Sequence, residues 1–210
     1  MGRGAALLGA AALLLLCASA QATPPRQAAL RAVLAYEAAQ PREQRPVCVA
    51  PRSEGITFDE ERRQLREERR SRPVSPRDVA WHQRTLTALE QRRFDWRVAP
   101  PPGRMGPGWP PRLDPAQAEL LSAAARPYAT ADPGAVPPVG LGPIPAPFRA
   151  GISPDCRGRL ALTAPVGAGD LLFVQSSYDC GGLCGVGWLY ALRPDGHEWR
   201  IVAIAWTWVS

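Results

Sequence analysis

Gly187-Trp188-Leu189-Tyr190-Ala191-Leu192, the turn Pro194-Asp195-Gly196, and Trp199-Arg200-Ile201-Val202-Ala203-Ile204-Ala205-Trp206-Thr207-Trp208 decide the fold. Side chains alternate between faces along an extended strand, so Trp188, Tyr190 and Leu192 share one face. In the second run Trp199, Ile201 and Ala203 oppose Val202, Ile204, Trp206 and Trp208. Proline presets the first central position of a turn and glycine accepts a left-handed residue, so the two runs read as a hairpin. Both faces are apolar, which asks for a cover on each side of the sheet.

Two more strands lie immediately upstream, Arg159–Thr163 and Asp170–Tyr178, joined through the turn residues Gly167-Ala168-Gly169. The available covers are N-terminal. Arg26 to Gln40 places Leu30, Val33, Leu34 and Glu37 at helical spacing and stops at Pro41. Ser75 to Phe94 has a capping serine, a first-turn proline and an apolar stripe of Val79, His82, Leu86 and Leu89. Asp114 caps a short Ala/Leu helix through about Ala125. Val47-Cys48-Val49 is a short extended segment whose cysteine ties it to something distant. Asp59 to Arg72 is a charged run with one apolar residue, Leu65, and reads as an exposed helix or arm. Proline recurs through residues 100–111 and 127–147, segments expected to lie extended across the sheet. These readings predict an α+β fold: N-terminal helices packed on a C-terminal antiparallel sheet of about four strands, with Pro-rich connections. The expected division is a signal peptide over 1–22, a helical and Pro-rich arm over 23–146, and a β-sheet region over 147–210.

The first 22 residues have the three zones of a cleavable signal peptide. Arg3 precedes the 12-residue run Ala5–Leu16, which is apolar apart from Gly9, and Ala18-Ser19-Ala20 and Ala20-Gln21-Ala22 both fit a cleavage site. A spanning helix needs about 20 apolar residues, so this run is too short, and no later stretch approaches that length. Lipidation at Cys17 would want a small residue before it, where Leu16 stands. The mature chain is therefore expected in the periplasm or medium after cleavage near Ala20 or Ala22, with no transmembrane segment. All 25 basic residues are Arg, as a GC-rich genome would give, and the formal charge is +6. Residues 42–112 hold 16 Arg against 10 acids, so an anionic surface or an envelope protein is a candidate partner. Nothing resembles a nucleic-acid-binding module, and no nucleic-acid partner is expected.

Removing Cys17 leaves Cys48, Cys156, Cys180 and Cys184, and four cysteines in an oxidising compartment suggest two disulfides with three connectivities open. Cys180-Gly181-Gly182-Leu183-Cys184-Gly185 sits between two strands, and its glycines let the chain curl enough for Cys180 to reach Cys184. A Cys180–Cys184 ring would contribute about 2 kcal/mol and a Cys48–Cys156 link about 5 kcal/mol in the chain-entropy model. The long link would tie the arm to the sheet, while the short one fixes the shape of a loop. A stiff loop carrying Tyr178, Leu183 and Trp188, with Trp206 or Trp208 nearby, is a candidate contact surface. The same two cysteines leave open a thiol-redox role or metal binding, and a purely structural envelope scaffold is the third reading. Neither His82 nor His197 is placed to complete a metal site, and no cofactor is expected. The sequence has no Gly-x-Ser-x-Gly, His-Glu-x-x-His or phosphate-binding glycine loop. Asp179, Asp195 and Glu198 lie near loop tips, as turns often require, so no catalytic residue is assigned.

The run Tyr178-Asp179-Cys180-Gly181-Gly182-Leu183-Cys184-Gly185, the strand Trp188–Leu192, Glu198-Trp199-Arg200-Ile201-Val202 and the ending Thr207-Trp208-Val209-Ser210 resemble one another's counterparts in a group of uncharacterised secreted bacterial proteins. Those chains end in a Cys-Gly-Gly-Leu-Cys-Gly turn, an aromatic strand and a terminal Trp-[Val/Ile]-Ser. The resemblance covers roughly the last 40 residues. It implies a secreted sheet domain and no activity, cofactor or catalytic residue.

Overall fold

The computed structural model describes residues 26–40, 47–50, 63, 66–67, 70, 75–91, 94–104, 110–131, 133–151, 153–180 and 184–209. Residues 1–22, read as a signal peptide, most of Asp59–Arg72, Leu183 and the side chains of His82 and Trp208 lie outside the described residues. Helices are α1 (Arg26–Ala39), α2 (Pro76–Gln91), α3 (Pro115–Ala124) and α4 (Arg126–Ala131). Strands are β1 (Val47–Val49), β2 (Trp96–Val98), β3 (Phe148–Ala150), β4 (Gly158–Leu162), β5 (Val166–Ala168), β6 (Leu171–Asp179), β7 (Gly185–Asp195) and β8 (Glu198–Val209).

All eight strands join one mixed sheet in the order β2-β8-β7-β6-β4-β1-β3, with β5 paired to β6. This mostly β architecture replaces the expected α+β fold of N-terminal helices on a four-stranded antiparallel sheet, because short strands from both halves of the chain, two of them in parallel register, extend the sheet. The four strands read from the sequence are β4, β6, β7 and β8, whereas β1, β2, β3 and β5 are three residues each. β1 coincides with the short extended segment expected at Val47–Val49, β5 includes Gly167 and Ala168, expected as turn residues, and β2 and β3 are not foreseen, three residues being too few to show an alternation. β1 comes from the N-terminal half, inserts between β3 and β4, and runs parallel to both. The Cys48–Cys156 disulfide, with Cα atoms 5.5 Å apart, joins it to the β3–β4 connection.

Two of the three expected covering helices pack on the sheet. α1 lies on one face, where Leu30, Val33 and Leu34 pack with Leu172, Tyr190 and Ile204. On the other face Leu121 and Ala118 of α3, Ala125, and Tyr128 of α4 pack with Trp96, Phe173 and Leu189. No described side chain of α2, the most regular helix in the sequence, enters either cluster. The segment between the two Pro-rich stretches, with the start of the second, thus supplies the second cover. It can do so because Asp114 caps α3, its carboxylate accepting from the Ala116 and Gln117 N–H groups at 3.0 and 3.1 Å, with Pro115 in the first turn.

At the β7–β8 hairpin Asp195 pairs with Glu198, so the central residues are Gly196 and His197, and Pro194 is still in the strand opposite Trp199. Gly196 takes φ 63°, a conformation costly for a side chain with a Cβ.

Removing the long cross-link with Cys48→Ala and Cys156→Ala together is expected to lower unfolding stability by about 3–5 kcal/mol. Urea denaturation measures this, and a loss below about 1 kcal/mol would mean the bond does not restrain the unfolded chain.

Candidate functional site

The connection from β6 to β7 is residues 180–184, closed by the Cys180–Cys184 disulfide with Cα atoms 5.2 Å apart. The Cys180 N–H donates to the Cys184 carbonyl at 2.9 Å, continuing the ladder beyond the Asp179–Gly185 pair. Cys184 is exposed and Cys180 half-buried.

An aromatic corner lies beside this turn on the face that α1 covers. Trp188 stands opposite Ser176 on one side and Trp206 on the other. The two indoles stack with centroids 6.3 Å apart and planes inclined by 23°. Tyr178 is diagonal to Trp188, being paired with Val186, and both pack against the α1 cluster. Tyr178 lies across Gly158, where an added Cβ would come within 2.7 Å of its ring and hydroxyl. A glycine in β4 thus gives the tyrosine its place. Tyr178, Trp188 and Trp206 are each half-buried.

Behind the corner the sheet carries a polar cluster that the sequence reading did not assign. Glu37 is 3% exposed, Ser176 0% and Tyr190 1%. The Ser176 and Tyr190 hydroxyls both donate to Glu37 Oε1, each at 2.5 Å. Tyr36 meets Tyr190 edge to face with centroids 5.7 Å apart. Burial, then the neighbouring Glu37 charge, hold the Tyr190 hydroxyl well above its ordinary range. The same two causes, partly offset by the Gln40 side chain, push Tyr36 up to about 12. The sequence did contain a trace of this cluster: Glu37 falls on the apolar stripe of α1, where a charge needs partners. Which strand would supply them is not a local property.

On the opposite face Tyr128 donates to Gln175 Oε1 at 2.8 Å, and Trp96 Nε1 donates to Ser122 Oγ at 3.2 Å. These bonds satisfy polar groups inside the second core.

The structure brings Tyr178 and Trp188 together, and Cys180 with Cys184, while Leu183 lies outside the described residues. Of the loop-tip carboxylates, Asp195 and Glu198 are cross-strand partners at the β7–β8 turn, while Asp179, the last residue of β6, lies opposite the other end of β7. Asp195 faces Arg200 at 3.8 Å. His197 is exposed in the hairpin turn. Among the described residues no three His, Cys, Asp or Glu are grouped to hold a metal ion. No family model matches the chain, and neither a curated protein nor a solved structure matches it.

The buried phenols make an alkaline prediction. A neutral tyrosine whose folded pKa is raised contributes stability below pH 10.0, which is lost as pH climbs through the folded value. Of the four tyrosines, Tyr36 and Tyr190 should keep their protons past pH 10.0, Tyr36 ionising at about 12. Stability should fall across that window. Phenolate absorbance reads the titration; if Tyr36→Phe and Tyr190→Phe leave the absorbance change above pH 10.0 unaltered, the two phenols are not buried as described.

Proposed function

We propose that this chain is an exported, disulfide-framed binding module, and that it binds through the aromatic corner beside the Cys180–Cys184 turn. The observation that carries the reading is the half-buried, stacked Trp188–Trp206 pair across β7 and β8, beside a β6–β7 connection closed by a disulfide. Aromatic side chains held rigid offer large contact area at small entropic cost, and they dominate binding energy where they are found at interfaces. The hairpin is anchored through both cores, so the corner is presented in one geometry.

Export is part of the proposal. Two disulfides fit an oxidising compartment. Among the described residues no helix is long and apolar enough to cross a membrane. The signal-like residues 1–22 and the resemblance of the last 40 residues to secreted bacterial chains support the same placement. The partner sought is an envelope protein or an anionic envelope surface. The arm's excess of arginine over acids would assist encounter with either.

Co-sedimentation of the exported protein with isolated bacterial envelopes tests the reading. Trp188→Ala and Tyr178→Ala should each weaken retention about tenfold or more, the effect of losing an aromatic anchor. Near-ultraviolet circular dichroism should show the fold retained. Wild-type retention by both variants would remove the corner from the binding surface.

A further inference from the structure

We propose that the Cys180–Cys184 disulfide is a thiol–disulfide exchange site that opens and closes while the fold stays intact, and that Cys48–Cys156 takes no part in exchange. This goes beyond the binding role and does not depend on it.

The two bonds differ in exposure: one pairs a buried with a half-buried cysteine, the other a half-buried with an exposed one. Cys48 is 1% exposed on β1, flanked by β3 on one side and β4 on the other. An attacking thiolate must reach a sulfur along the S–S axis; packing withholds the Cys48 sulfur, and Cys156 at the other end is half-buried, so neither end of this bond is as open as Cys184. Cys184 is exposed at a hairpin tip, so its sulfur can be met from solvent.

The fold depends on the two bonds unequally. Cys48 and Cys156 are 108 positions apart in sequence, and their bond ties a strand of the N-terminal half to the sheet. Cys180 and Cys184 are 4 positions apart. Their turn is already closed by the Cys180 N–H donating to the Cys184 carbonyl. Beyond it β6 and β7 pair without a break from Asp179–Gly185 to Leu172–Leu192. Opening the short ring therefore leaves the hairpin paired.

The exchange balances with an exported protein dithiol as the reductant. One thiolate of that dithiol attacks Cys184 Sγ, and Cys180 leaves as a thiolate that takes a proton from water. The second thiol of the dithiol then attacks its own sulfur in the mixed disulfide and releases Cys184 as a thiol. Two electrons and two protons pass to this chain, and the dithiol becomes a disulfide. Cys180 Sγ lies 2.9 Å from the Cys184 carbonyl oxygen, which can accept the S–H once the bond has opened. The reverse sequence, with an oxidised partner, closes the ring.

The test is graded dithiothreitol applied to the full exported chain without denaturant, followed by alkylation and peptide mass spectrometry. Cys180 and Cys184 should be alkylated at a dithiothreitol concentration about tenfold or more below that needed for Cys48 and Cys156, as expected of an exposed bond. Near-ultraviolet circular dichroism should be unchanged at that point. In a second arm, Cys180→Ser treated with glutathione disulfide should carry glutathione on Cys184. The proposal is overturned if both bonds open together, if Cys48–Cys156 opens first, if opening the short ring abolishes the near-ultraviolet signal, or if Cys184 takes up no glutathione.

Discussion

One carboxylate oxygen decides where α1 lies on the sheet. Glu37 Oε1 receives hydroxyl hydrogen bonds from β6 and from β7, joining the last turn of the helix to the two central strands at once. A carboxylate at this place is expensive. It is buried among apolar side chains, and it faces the negative end of its own helix dipole. Hydrogen bonds to a charged group return about 1.5–3 kcal/mol each, comparable with the several kcal/mol lost on desolvation. On that balance Glu37 contributes little net stability. Its effect is on register, because a slide or rotation of α1 would leave the charge without its two donors.

Much else follows from that seat. The sheet is apolar on both faces and must be covered twice. With α1 fixed over β6, β7 and β8, the far end of the same face carries Tyr178, Trp188 and Trp206, each only half-covered. The second face is closed by α3 and α4, whose position is set by the Asp114 cap and by Trp96 bonded to Ser122. The half-covered aromatic corner and the disulfide turn thus come to lie side by side, one suited to contact and the other to exchange.

Much of the central sheet was legible because β6, β7 and β8 are long and alternate, and a glycine does mark the turn between the last two. The helix caps were legible for the same reason: Asp114 acts on its immediate neighbours. What escaped was long-range. β1 was legible as an extended segment with a distant tie, but its place between β3 and β4 is set by partners about a hundred residues away. α2 has a better helical pattern than α3, yet α3 covers the sheet, because a local periodicity says nothing about which surface a helix finds. At the candidate site the aromatic residues and the cysteine pair could be read from spacing. Glu37 could be seen on its stripe, but its donors Ser176 and Tyr190 could not, since they meet it only through the packed fold.

The direct test of Glu37's role is a double-mutant cycle by urea denaturation, pairing Glu37→Leu with Tyr190→Phe. If the carboxylate holds α1 through this hydroxyl, Tyr190→Phe costs about 2 kcal/mol in the wild-type chain and close to nothing once Glu37 is leucine. If the two substitutions add within about 0.5 kcal/mol, the pair is not coupled, and α1 is seated by its apolar contacts alone.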